Sequence, residues 1–238
     1  MRVEAGATTS DRLLDAAAEL LREGGLGAVS TRAVAAAAGT QPPILYRHFG
    51  DKEGLLEAVA LHVLEEYILK KRKLLRHSDD PVADLRRLWD LFVAFGFAQP
   101  ECFALIYGSV RRGDALSAAA ETTVSMLGDA IGRIADVGRL RMSVDRATAL
   151  FQSCGVGFVI TQLMVPPPKR NRELSDIARE NALASIMVTS GAARTPKTAA
   201  GRATALRQAI ADGDVPLTPA ELHLMTEWLD RIADKRPR

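Results

Sequence analysis

An all-α protein is what this 238-residue sequence predicts. Apolar residues recur at three- and four-residue spacing in block after block, Gly and Pro punctuate the blocks, and no strand-like alternation competes. Several blocks also open on a helix N-cap. Ser30 precedes Thr31, Asp51 precedes a long apolar-periodic run, and Thr218-Pro219-Ala220-Glu221 joins an N-cap, a proline at N1 and a glutamate at N3 into a capping box.

The elements follow in order. Asp11 to Glu23 carries Leu13, Leu14, Ala17, Leu20 and Leu21 at helical spacing and ends at Gly24-Gly25. Ser30 caps a helix starting at Thr31, with Val29 and Val34 placed as a hydrophobic staple. Ala35 to Ala38 leave room for a close crossing, and Gly39 supplies the positive φ that ends the helix. After a tight turn Gln41 precedes Pro42 at the front of a second short helix, where Leu45 and Phe49 share the inward face. Asp51 caps a helix running toward Leu75; Asp80-Pro81 starts one through Phe97, and Gln99-Pro100 a short one to Val110. A helix from about Asp114 ends near Gly138, Ser143 caps the next as far as Val165, Pro166-Pro167-Pro168 makes a stiff crossing, and Arg172 to Thr189 forms another. Beyond a small, polar linker at Gly191 to Ala200, Gly201 to Ala211 and Thr218 to Ala233 read as two further helices.

Composition is that of an ordinary globular chain, 47% hydrophobic and 25% charged, with a formal net charge of only +2. Bulk charge gives no argument for nucleic acid, since residues 1 to 57 hold six basic against eight acidic side chains. The distribution is local: Arg32, Arg47, Lys52 and His48 stand against the single acid Asp51 between Ser30 and Lys52, as a small phosphate-facing patch requires. Cys102 and Cys154 have no metal-ligand spacing and read as buried thiols, so no metal or other cofactor is expected. There is neither an apolar run long enough to span a membrane nor a signal-peptide pattern, which predicts a cytoplasmic protein without a membrane partner. His62, His77 and His223 are isolated, so no catalytic residues are expected.

Two short helices around a glycine turn make a helix-turn-helix, which lays its second helix in a major groove. Thr31, Val34-Ala35, Ala38-Gly39, Leu45-Tyr46-Arg47-His48-Phe49 and Lys52-Glu53-Gly54-Leu55 stand here in a characteristic order and spacing. On these residues the chain resembles the tetracycline-repressor (TetR) family of transcriptional regulators, over about residues 10 to 60. The resemblance implies a DNA-binding domain over residues 1–50 and a helical ligand-binding and dimerisation domain over 51–190; residues 191–238 go past that pattern as a C-terminal helical extension. It further implies a homodimer through helices at about Ser143 to Val165 and Arg172 to Thr189, a palindromic double-stranded operator, and release of repression by a small-molecule effector. Control by a protein partner, or by no effector, stands as the alternative; a helical enzyme or scaffold is the reading from another class.

The DNA-facing candidates are Thr31, Arg32, Gln41, Pro42, Pro43, Ile44, Tyr46, Arg47, His48 and Lys52. Arg32 and Arg47 are expected to read base edges; Tyr46, His48 and Lys52, with Thr31 and Gln41, to hold phosphates. In a chain only 5% aromatic, Trp89, Phe92, Phe103, Tyr107, Met126, Phe151 and Phe158, with Gln152 and Gln162 as polar groups, are the candidate lining of an apolar effector pocket. The run Lys70-Lys71-Arg72-Lys73 reads as a solvated face near a helix end. The small residues in Cys154-Gly155-Val156-Gly157 are expected to allow close packing.

Overall fold

The structure is a computed structural model that describes residues 8–75, 79–108, 113–171, 173–188, 198–212 and 215–234. Arg76, His77, the reach of a helix to Val110, both limits of the helix placed at Arg172 to Thr189, and the linker over 191–197 lie outside the described residues.

Eleven α-helices make up the described chain: α1 Thr9–Ala28, α2 Thr31–Ala37, α3 Pro42–Phe49, α4 Lys52–Leu75, α5 Pro81–Ala98, α6 Pro100–Phe103, α7 Asp114–Asp136, α8 Val144–Leu163, α9 Glu173–Ile186, α10 Ala199–Asp212 and α11 Pro219–Ala233. A π-helical turn, Ala104–Gly108, continues α6, and a 3-10 turn, Pro167–Lys169, follows α8. Among the described residues, extended pairing amounts to one bridge between Leu140 and Met187.

The helices group into two compact units, Met1–Lys73 with Ala94–Thr123 and Leu74–Val93 with Val124–Arg238. Residue 50 lies within the first, and the described part of 191–238 within the second. In the first unit Leu13, Ala17 and Leu21 of α1, Val34 and Ala35 of α2, Leu45 of α3 and Leu55 and Val59 of α4 are buried together in sequence order, so burial of the apolar stripes fixes the head. Tyr67 of α4 stacks on Phe95 with ring centroids 4.7 Å apart. In the second unit Trp89 meets Phe151 edge-on at 5.4 Å, and Phe158 lies 6.0 Å away.

Several local expectations are corrected. The first helix starts earlier than Asp11, where Thr8 and Asp11 form a capping box; Gly25, at φ 63° and ψ −166°, interrupts it where the sequence predicts its end, and a short helical stretch continues to Ala28. Ser143 occupies the N-cap of α8, but its side chain does not cap the helix; it donates to Asp234 Oδ1 at 2.9 Å. Lys71 departs from the solvated face of its neighbours. It is buried and donates to the Thr123 carbonyl at 2.6 Å, because a long alkyl stem can cross an apolar layer when a buried acceptor receives its ammonium. Gly155 does pack closely, with a Cβ there lying 3.3 Å from the Phe92 ring, whereas Gly157 faces open space.

Candidate nucleic-acid interface

The head is built by capping. Ser30 Oγ accepts the Ala33 N–H at 3.1 Å and starts α2 at Thr31. Gly39, at φ 64°, turns the chain out of α2. Asp51 Oδ1 takes the Gly54 N–H at 2.8 Å and starts α4 directly after α3. Each of these bonds satisfies a helix-end donor that would otherwise need water.

What this presents outward is one face of α3. Leu45 is wholly buried and Phe49 half-buried, while Pro43, Tyr46, Arg47 and His48 are exposed and Pro42 and Ile44 are half-buried. Arg32 stands exposed on the first turn of α2, and Lys52 on that of α4. The Thr31 and Tyr46 hydroxyl oxygens approach to 3.5 Å, which joins the start of α2 to the outer face of α3 and gives two hydroxyls at one spot. Lys52 Nζ lies 3.4 Å from the Leu26 carbonyl oxygen, a long bond that leaves the ammonium at the surface. Gln41 is the N-cap residue of α3 without a side-chain capping bond.

The front of α3 has an unusual donor balance. Pro42 and Pro43 carry no N–H, and the Ile44 N–H is donated to the Gln41 carbonyl at 3.0 Å. The positive end of this helix therefore points outward without free backbone donors in its first three residues, and what it offers there is apolar.

The ten DNA-facing candidates thus fall on one connected head. The effector candidates divide between the units. Phe103 and Tyr107 belong to the first unit, their rings 4.7 Å apart, with Phe95 5.9 Å from Phe103 and the Tyr107 hydroxyl 3.4 Å from Thr123 Oγ1. Trp89, Phe92, Met126, Phe151, Gln152, Phe158 and Gln162 belong to the second. There the Trp89 indole donates to Ser175 Oγ at 3.0 Å, and Gln162 is 9% exposed with its Oε1 lacking a hydrogen-bond partner. A cleft of about 600 Å³ in the second unit is lined instead by Gly128, Asp129, Arg133, Asp145, Thr148 and Arg207, among others, and by none of the nine candidates.

Sequence reasoning missed a buried carboxylate that is paired with two partly exposed arginines. Asp84 of α5 is 0% exposed, paired with Arg87 one turn on and with Arg133 Nη1 of α7 at 2.7 Å. An Asp-x-x-Arg pair is so common on solvated helices that the pattern does not mark it; only the apolar flanks Leu85, Leu88 and Trp89 hint that this face turns inward.

A three-helix head whose last helix shows a basic and aromatic outer face, on an otherwise helical chain, defines a helix-turn-helix protein. Residues 13–59 match the family model described as bacterial regulatory proteins, tetR family. The chain is 39% identical over 83 residues to the class D tetracycline repressor protein of Escherichia coli, covering 35% of this chain and 34% of that one. It is 38% identical over 76 residues to the HTH-type transcriptional regulator BetI of Burkholderia mallei, covering 32% and 39%. These matches span only about a third of the relatives' length. The fold extends further: the fatty acid degradation regulator FadR of Bacillus halodurans superposes with a TM-score of 0.62 at 16% identity, over 74% of this chain and 95% of that one. The likeness to regulators of the TetR family is carried in sequence by the head, over residues 13–59, and beyond it by the helical fold.

Proposed function

We propose that the chain is a DNA-binding transcriptional regulator that acts in the cytoplasm as a homodimer on a palindromic operator and is released by a small apolar or aromatic effector. The observation that carries this is the exposed face Pro43, Tyr46, Arg47 and His48 on α3, beside Arg32 and the Thr31–Tyr46 hydroxyl pair. Arg32 and Arg47 are the base readers; Tyr46, His48, Lys52, Thr31 and Gln41 hold phosphates; Pro42, Pro43 and Ile44 make apolar contacts. The two-fold assembly runs through α8 and α9 and sets two copies of α3 in successive major grooves, roughly 34 to 36 Å apart. An effector that favours the form with wrongly spaced heads lowers operator occupancy by its differential affinity alone.

The aromatic group Trp89, Phe151 and Phe158, with the unpaired Gln162 Oε1 as an acceptor for one ligand donor, supports an apolar effector carrying a single N–H or O–H. Selecting bound duplexes from random DNA and titrating the winner by fluorescence anisotropy tests the core of the reading. A palindromic consensus bound by the wild type, with selectivity relaxed at one position per half-site in Arg47→Ala, is the expected result; recovery of no consensus overturns it.

A further inference from the structure

Helix α11 has two apolar faces, and α10 occupies one of them. Leu222, Met225, Leu229 and Ala233 pack with Ala203 and Ile210 into the small core of the α10–α11 hairpin. The Arg207–Asp230 ion pair, 2.7 Å, closes the hairpin, and Asp234 ties it to Ser143. On the other side Leu224, Trp228 and Ile232 recur every fourth residue and are 43%, 53% and 44% exposed. Ala220, one turn before Leu224, is exposed as well. A continuous stripe of this kind, centred on a half-wet tryptophan, has the make-up of a contact anchor.

We infer that this stripe docks against α11 of a second copy of the chain, the two helices running antiparallel about a two-fold axis level with Thr226. In that register residues equidistant from 226 stand level with one another, and the pairs are complementary. Leu224 meets Trp228 of the other copy, the small Ala220 leaves room beside Ile232, and the Glu221 carboxylate lies level with the Arg231 guanidinium. The two-fold repeats each pair, so one helix supplies both halves of the match. Glu221 belongs to the capping box with Thr218, whose hydrogen bonds hold its carboxyl below the usual range and keep it ionised at neutral pH; both bonds use Oε2. A parallel pairing would instead set Glu221 against Glu221 and Arg231 against Arg231. The acids Glu221 and Glu227 beside the stripe also disfavour an anionic lipid surface as its occupant.

The test uses full-length chain with Cys154→Ala, in which Leu224→Cys and Trp228→Cys variants are produced separately and coexpressed. Under mild oxidation the coexpressed pair yields a disulfide-linked dimer in excess of either variant alone, because only the mixture places the two cysteines level. In a second arm Trp228→Glu weakens self-association, read by sedimentation equilibrium, by about tenfold or more, while its circular dichroism stays that of the wild type. No excess of the mixed disulfide, or an unchanged association constant for Trp228→Glu, overturns the inference. Neither arm reads operator binding, so the outcome is separate from the DNA-binding part of the proposed function.

Discussion

Exchanging one thymine for uracil in each operator half-site deletes a methyl group and leaves every hydrogen-bonding edge in place. The front of α3 makes this exchange informative. Pro42 and Pro43 have no N–H, and that of Ile44 is spent on the Gln41 carbonyl at 3.0 Å, so the first three residues have only apolar surface to give a base pair. A thymine C5-methyl beneath them is therefore the expected partner. A fully buried methyl is worth about 0.8 kcal/mol. Pro42 and Ile44 are half-buried by their own protein and Pro43 is exposed, so the contact is a partial one. Half the full value in each of two half-sites gives about 0.8 kcal/mol, or roughly a fourfold loss of affinity. Fluorescence anisotropy titrations of matched thymine and uracil operators at one salt concentration measure it. Repeating both with Ile44→Ala closes a cycle, in which the uracil penalty shrinks if the methyl sits on Ile44. Equal affinities of the wild type for both operators would refute the argument and leave the prolines with a purely conformational role.

Three more outcomes follow from the same geometry. Arg47→Ala, at an exposed position on the outer face of α3, lowers discrimination at one base pair per half-site by about 1–3 kcal/mol, measured against a panel of single-base operator variants; an equal loss on all of them contradicts base reading. Lys52→Ala weakens specific and random duplexes alike and lowers the magnitude of the log–log salt slope by about one per site, and an unchanged slope counts against a phosphate contact. The forked hydrogen bonds from Arg86, 2.8 Å each, hold Glu180 down to about 2 from 4.5. A depressed carboxyl stabilises the fold above its unfolded value and loses that contribution as pH falls. The urea-midpoint gap between wild type and Glu180→Gln therefore narrows from pH 4.5 toward 2, a small effect because both side chains are over two-fifths exposed. A constant gap would refute the assignment.

The head was legible because its signals are local. Ser30, Gly39, Pro42 and Asp51 each fix a helix end through a bond or a dihedral that depends on near neighbours, and α2 to α4 begin where those residues place them. Elsewhere local signals competed with distant partners. Ser143 had the look of a cap until Asp234, 91 residues on, took its hydroxyl. Lys71 shares a basic tetrapeptide with exposed neighbours, and its buried ammonium is received by the carbonyl of Thr123 on another helix, a partner 52 residues away. The aromatic candidates failed to form one group for the same reason. Composition says that Phe103 and Trp89 are apolar, but the division between the units falls inside α5, between Val93 and Ala94, where no local signal marks it.

The burial of Lys71 bears on how the head is held. Helix α4 follows α3 directly, and it is fastened to the chain of α7 at two places: the Glu57 carboxylate takes the Gly113 N–H, and the Lys71 ammonium is seated on the Thr123 carbonyl. The two anchors lie fourteen residues apart on α4, about 21 Å along its axis. A rod pinned at both points cannot slide lengthwise by a helical turn without releasing both pins. It can still tilt or roll by small amounts as side chains flex, so a disturbance at the start of α7 reaches α3 as a change of angle rather than of depth.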